Sequence, residues 1–198
     1  MKTVKIKFTP AEFTYIESEI DCLLRHYGVL CCSRRHARRF YQHEMWENAK
    51  KGVAGSYESW IFSNPNMAAG LNKLYVVACG RSHYALNVNG KPVAISKRPV
   101  TKNGVTTIVF SKKEVKHLIR VMDHLLKEFS KYGGYKGRKY TNPIMANAFG
   151  KVYYALTGRE HASLHPEHYN AVVQYHIEGI KQYNSDSKMI AEFEAMLK

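Results

Sequence analysis

Apolar residues recur at helical spacing in two stretches that share one entry signal. Thr9-Pro10-Ala11-Glu12 combines a hydroxyl at the N-cap, a proline at the first helical position and a glutamate able to reach back to the cap amide. Behind it, Phe13, Ile16, Ile20, Leu23, Leu24 and Tyr27 form one face, and Gly28 predicts the end of the helix. Ser111-Lys112-Lys113-Glu114 repeats the box ahead of Val115, Leu118, Ile119, Met122, Leu125, Leu126 and Phe129, with Gly133-Gly134 as the stop. A further helix is predicted over about residues 33–50.

The middle of the chain changes period. Tyr57–Phe62, Lys73–Cys79, His83–Val88, Pro92–Ser96 and Val105–Phe110 carry β-branched and aromatic residues between turn signals. The alternating start, Lys2 to Phe8, reads as a first strand; Asn89-Gly90 fits a two-residue hairpin, and Asn103-Gly104 is a second turn signal. After a glycine-rich loop, helices are predicted near Pro143–Leu156, Pro166–Tyr183 and Ser187–Leu197. The expectation is one α+β domain, an antiparallel sheet of about four to five strands packed with five to six helices. Its mixed body covers about residues 1–132 and its helical C-terminal part about 141–198. No internal repeat, low-complexity tract or linker stands out.

Composition narrows the class. The 198 residues carry a net charge of +14 from 30 Lys plus Arg against 16 Asp plus Glu. That excess excludes an acidic nucleic-acid mimic and favours a polyanionic partner. No stretch approaches the roughly 20 apolar residues of a membrane span, so no membrane partner is expected. The basic N-terminus lacks the apolar core of a secretory signal. Cys22, Cys31, Cys32 and Cys79 contain no C-x-x-C pair, which suits a reduced, cytoplasmic chain. The charge is also segregated: residues 1–21 sum to −1, residues 22–159 to +18 and residues 160–198 to −3.

Three basic elements follow from this. On the helix after Ser111, Lys113, His117, Arg120, His124, Lys127 and Lys131 fall within about 40° of one line, opposite the apolar face. Glu114, Asp123 and Glu128 lie outside that stripe. It leads into Lys131-Tyr132-Gly133-Gly134-Tyr135-Lys136-Gly137-Arg138-Lys139-Tyr140, where tyrosines offer stacking surfaces and Lys131, Lys136, Arg138 and Lys139 offer phosphate contacts. The third element is Arg34, Arg35, Arg38 and Arg39, set near a helix start where the macrodipole disfavours cations and an arriving phosphate would be welcome. The preceding helix suggests helix-turn-helix, but Leu24 occupies a position that the tight form of that motif gives to a small residue.

Catalytic chemistry is less well served. Between Asn48 and Lys113 the one acid is Glu58, too few for a two-metal phosphoryl-transfer site on the sheet, and no Walker loop or G-x-G-x-x-G occurs. No metal site or cofactor is expected. His161, His165 and His168 form a histidine-rich stretch suited to acid–base cleavage of RNA, though Pro166 interrupts any shared helical face. Cys32 and Arg38 have the C-x5-R spacing of thiolate phosphatases without the glycine such a loop needs. In Arg81-Ser82-His83, neighbouring strand residues would point to opposite faces, and the segment reads as a hairpin flank. The leading expectation is a non-enzymatic, intracellular nucleic-acid-binding protein, for single-stranded or structured partners. A metal-independent histidine nuclease and a basic module docking an acidic protein surface are the alternatives.

Overall fold

The computed structural model describes residues 1–31, 64–86, 97–129, 142–183 and 186–198. In chain order these form β1 (Lys2–Ile6), α1 (Pro10–Cys31), α2 (Pro65–Cys79), a 3-10 turn (Tyr84–Leu86), β2 (Val100–Lys102), β3 (Val105–Phe110) and α3 (Lys112–Phe129). They continue with α4 (Pro143–Thr157), a second 3-10 turn (Ala162–Leu164), α5 (Pro166–Tyr183) and α6 (Ser187–Glu194). The fold is α+β and mostly helical, and it divides into two compact units, Met1–Val121 and Met122–Lys198. No described helix is long and apolar enough to cross a membrane.

In the first unit, an antiparallel sheet of order β1-β3-β2 turns Val4 and Ile6 inward from one strand and Thr106, Ile108 and Phe110 inward from the next. The β2–β3 hairpin turns on Asn103 and Gly104, whose φ values of 51° and 72° are those a two-residue turn of primed type demands. Both capping boxes form as their sequences imply. The Thr9 amide donates to Glu12 at 2.8 Å and the Glu12 amide to Thr9 Oγ1 at 3.2 Å. The Ser111 amide donates to Glu114 at 2.6 Å and the Glu114 amide to Ser111 Oγ at 3.1 Å. Ile16, Ile20, Leu23 and Leu24 of α1 are fully buried, which explains why Leu24 is large.

Several expectations are corrected. The described residues hold three strands rather than four or five. Lys73–Cys79 is the second half of α2, not a strand: Asn64 caps the helix through Asn66 N–H at 2.9 Å, Pro65 opens it, and Gly80 closes it at φ 71°. Residues 70–76 are all buried, and the apolar run Leu74-Tyr75-Val76-Val77-Ala78-Cys79 on this helix mimics a strand. The first residues of the expected strand at His83 instead enter a 3-10 turn. Gly28 does not stop α1, which runs on to Cys31. Tyr57–Phe62, Pro92–Ser96, the Asn89-Gly90 turn and the helix expected over about 33–50 lie outside the described residues.

In the second unit, Met122, Leu125, Leu126 and Phe129 of α3 are buried, as are Met145, Phe149 and Val152 of α4 and Tyr169, Val172, Val173 and Ile177 of α5. Asn142 caps α4 through Ile144 N–H at 2.9 Å, Pro143 opens it and Gly158 closes it at φ 79°. Helices α4, α5 and α6 begin where the sequence places them; α4 and α5 end within one residue of the expected limits, and α6 ends three residues before Leu197.

Helices α2 and α4 share an asparagine cap, an opening proline and a closing left-handed glycine, and the likeness extends further. At a spacing of 78, residues 64–86 and 142–164 share ten of 23 residues: Asn, Pro, Met, Ala, Lys, Tyr, Gly, Arg, His and Leu, from Asn64/Asn142 to Leu86/Leu164. At a spacing of 102, the boxes Thr9–Glu12 and Ser111–Glu114 align, and Asp21-x-Leu23-Leu24-Arg25 matches Asp123-x-Leu125-Leu126-Lys127. Strand, capped helix, Asn-Pro helix, left-handed glycine and 3-10 turn therefore occur twice in one order. This overturns the reading of a chain without internal repeat. The repeat is hidden because 36 residues (28–63) separate the aligned segments in the first copy and 12 (130–141) in the second, so no single period relates the halves.

Candidate nucleic-acid interface

Helix α3 carries the part of the basic surface that the structure describes. Its box fixes the start, and its apolar side (Leu118, Val121, Met122, Leu125, Leu126 and Phe129) is buried. Opposite this side, Lys112, Lys113, Lys116, Arg120 and Lys127 are exposed, while His117 and His124 are half-buried. Burial, reinforced by Arg120 and Lys116, lowers the His117 pKa below the ordinary imidazole value, so this ring is neutral at pH 7.

Glu114 and Asp123 of the helix fare differently. Glu114 turns inward: Lys73 Nζ, on α2, donates to its Oε2 at 2.8 Å and to the Val109 carbonyl at 2.8 Å. The cap acid of the first turn is thereby removed from the surface. Lys112, Lys113 and Lys116 make no ion pair among the described residues. Further along, Asp123 does reach the stripe, against expectation, because Lys127 Nζ lies 2.8 Å from its Oδ2 across one helical turn. Burial pushes the Asp123 pKa up, but hydrogen bonds from Lys127 and His161 outweigh that and hold it below the usual carboxylate range. The lysines that make no ion pair among the described residues therefore stand at the N-terminal end of the helix.

Arg34, Arg35, Arg38 and Arg39 lie outside the described residues, as do Lys131, Tyr132, Tyr135, Lys136, Arg138, Lys139, Tyr140 and the Cys32–Arg38 pair.

The histidine stretch is not assembled as a catalytic group. His161 is buried; its Nδ1 accepts the Ser163 amide at 3.1 Å and its Nε2 faces Asp123 Oδ1 at 3.2 Å. With Nδ1 accepting, the proton sits on Nε2 and is donated to Asp123, so neither nitrogen is left to exchange a proton with a substrate. His165 and His168 are exposed, and neither makes such a pairing among the described residues. Among the described residues, no three His, Cys, Asp or Glu side chains are grouped to hold a metal.

A second buried histidine went unread. His83, expected on a hairpin flank, places Nε2 at 2.9 Å from Asp21 Oδ1, and its amide donates to Asn72 Oδ1 at 2.9 Å. The Tyr75 ring meets it edge-on at 4.8 Å and Tyr84 stacks on it at 4.5 Å. Burial lowers the His83 pKa despite the opposing pull of Asp21, so this ring is neutral at pH 7. Tyr75, desolvated beside Cys79, has its pKa pushed up to about 12, and burial raises the Cys79 thiol as well, which argues against a thiolate nucleophile here. The signal that would have found this arrangement is the shared Gly-Arg-x-His of residues 80–83 and 158–161. No protein-family model, curated protein or solved structure matches the chain.

Proposed function

We propose that the protein is an intracellular, non-enzymatic nucleic-acid-binding protein. The observation that carries this reading is the N-terminal half of α3, where Lys112, Lys113, Lys116 and Arg120 are exposed and the one carboxylate among them, Glu114, is held inside by Lys73. Cations in the first turn oppose the helix dipole, so the arrangement costs stability that a solvated surface would have no reason to spend. Phosphates approaching this edge meet both the side chains and the positive end of the helix.

The placement of the other basic elements supports the same reading. Arg34–Arg39 and Lys131–Tyr140 both fall in the segment joining the two helices of a repeat, so the strongest local charge occurs at corresponding positions of the two copies. The tyrosines at 132, 135 and 140 favour unstacked bases, hence single-stranded or structured nucleic acid.

The test is a titration of a labelled oligonucleotide at several salt concentrations. The logarithm of the binding constant is expected to fall linearly with the logarithm of salt concentration. Lys113→Glu combined with Arg120→Glu is expected to lower both affinity and slope. A negligible slope for the parent protein, or an unchanged one for a double variant that still melts cooperatively, refutes the reading.

A further inference from the structure

The repeat described above includes its contacts, not only its elements. In the first copy Asp21 holds His83, Tyr75 meets the ring edge-on and Arg25 pairs with Asp21 one turn along α1. In the second copy Asp123 holds His161 at 3.2 Å, Tyr153 meets the ring at 5.0 Å and 88°, and Lys127 pairs with Asp123 one turn along α3. One such cluster lies in each compact unit. The strands bear the same mark. In β1–β3, Val4 faces Ile108 and Ile6 faces Thr106, while Lys5 faces Thr107, its own counterpart at the 102 spacing. A register that maps onto itself is what two copies of one strand give when they pair isologously.

Most residues shared by the copies have an interior reason. Asn and Pro start a helix, Gly adopts the left-handed region, and His and Tyr are packed against Asp. Arg81 and Arg159 do not. Both follow the left-handed glycine, both are exposed, and neither side chain makes an ion pair or hydrogen bond among the described residues. Each also stands two residues before the buried histidine, whose aspartate fixes the second cation, Arg25 or Lys127, with side chains 49% and 63% exposed. In each copy the aspartate thereby holds one exposed cation, Arg25 or Lys127, while the side chain of the arginine after the glycine makes no ion pair among the described residues.

We propose that residues 2–86 and 105–164 are two copies of one module, and that each presents the same phosphate contact, Arg81 in the first and Arg159 in the second. This rests on the nucleic-acid reading and adds to it a pair of equivalent contact residues that are not part of α3.

Arg81→Gln, Arg159→Gln and the double variant of the full chain, titrated with a labelled oligonucleotide across a salt series, test it. Each single variant is expected to reduce the salt slope by about 0.7–0.9, one phosphate's worth, by similar amounts in the two copies, and the double variant by about twice that. A double variant that binds like the parent, while Lys113→Glu with Arg120→Glu weakens binding, overturns the contact points and leaves the α3 reading standing. An effect confined to one arginine overturns their equivalence. Absence of binding by the parent protein overturns the nucleic-acid reading and these contacts together.

Discussion

Lys73→Met is the substitution with the largest expected effect on the first unit. The Lys73 side chain is 1% exposed and that of Glu114 is 8% exposed. Methionine preserves the length of the aliphatic stem, so the packing beneath the Phe110 ring, now 5.6 Å from Nζ, changes little. What is lost is the cation. Glu114 keeps the Ser111 amide at 2.6 Å but has no countercharge left, and the Val109 carbonyl loses its Nζ donor. Removing one partner of a buried pair costs about 3–5 kcal/mol. With urea m-values of about 1–3 kcal/mol per molar, the midpoint of a far-UV circular dichroism transition falls by at least about 1 M at unchanged m. Adding Glu114→Gln, which retains an acceptor for the cap amide, is expected to restore most of that loss, because an uncharged replacement of a buried pair is close to neutral. A single-variant loss below about 1 kcal/mol, or a double variant no more stable than Lys73→Met, would refute the reasoning, since coupled residues cannot be additive.

Three further outcomes are expected. The pKa of His83 is lower in the folded than in the unfolded chain, where it lies near 6.5, so the unfolded state binds the extra proton first. This contribution to stability is complete above about pH 6.5 and declines as pH falls towards the folded value, at up to about 1.4 kcal/mol per pH unit; His83→Gln should flatten the slope, and an unaltered slope counts against it. Gly150→Ala puts a Cβ at 2.3 Å from Leu164 Cδ1 in a buried contact, and despite better helix propensity it should cost about 1–3 kcal/mol in a melt, with a stabilised variant contradicting the packing. Asp21→Ala and Asp123→Ala each leave a buried imidazole N–H without its acceptor, so denaturation should show losses of about 1–3 kcal/mol in both; a cost in only one would separate the two clusters.

Local signals were the legible ones. Thr9–Glu12, Ser111–Glu114, Asn103-Gly104 and the starts of α4, α5 and α6 depend on neighbours within a few residues, and each occurs as read. The cationic side of α3 was legible for the same reason, since i,i+4 geometry places it opposite the buried face. Failures came where distant chain segments decide. Lys73–Cys79 carries strand-forming residues, and only its burial on nearly every side, together with the cap at Asn64, makes it helical. The partner of Glu114 is 41 residues away and that of His83 is 62 away, separations at which spacing rules are silent. Asp123 was placed off the stripe by its angle, yet the length of Lys127 brings the ammonium back to it. The repeat was missed because its matched positions are scattered and its two spacings differ.

The inward turn of Glu114 has a kinetic consequence. Long-range attraction between a protein and a polyanion depends on the summed field, which governs the association rate before any contact forms. In α3 that field is set partly by an interior lysine, because Lys73 keeps a negative charge from standing among Lys112, Lys113 and Lys116. A core substitution that let the carboxylate swing outward would weaken the positive field at this face without altering a single residue exposed on it. The outer face of this helix is tuned from within.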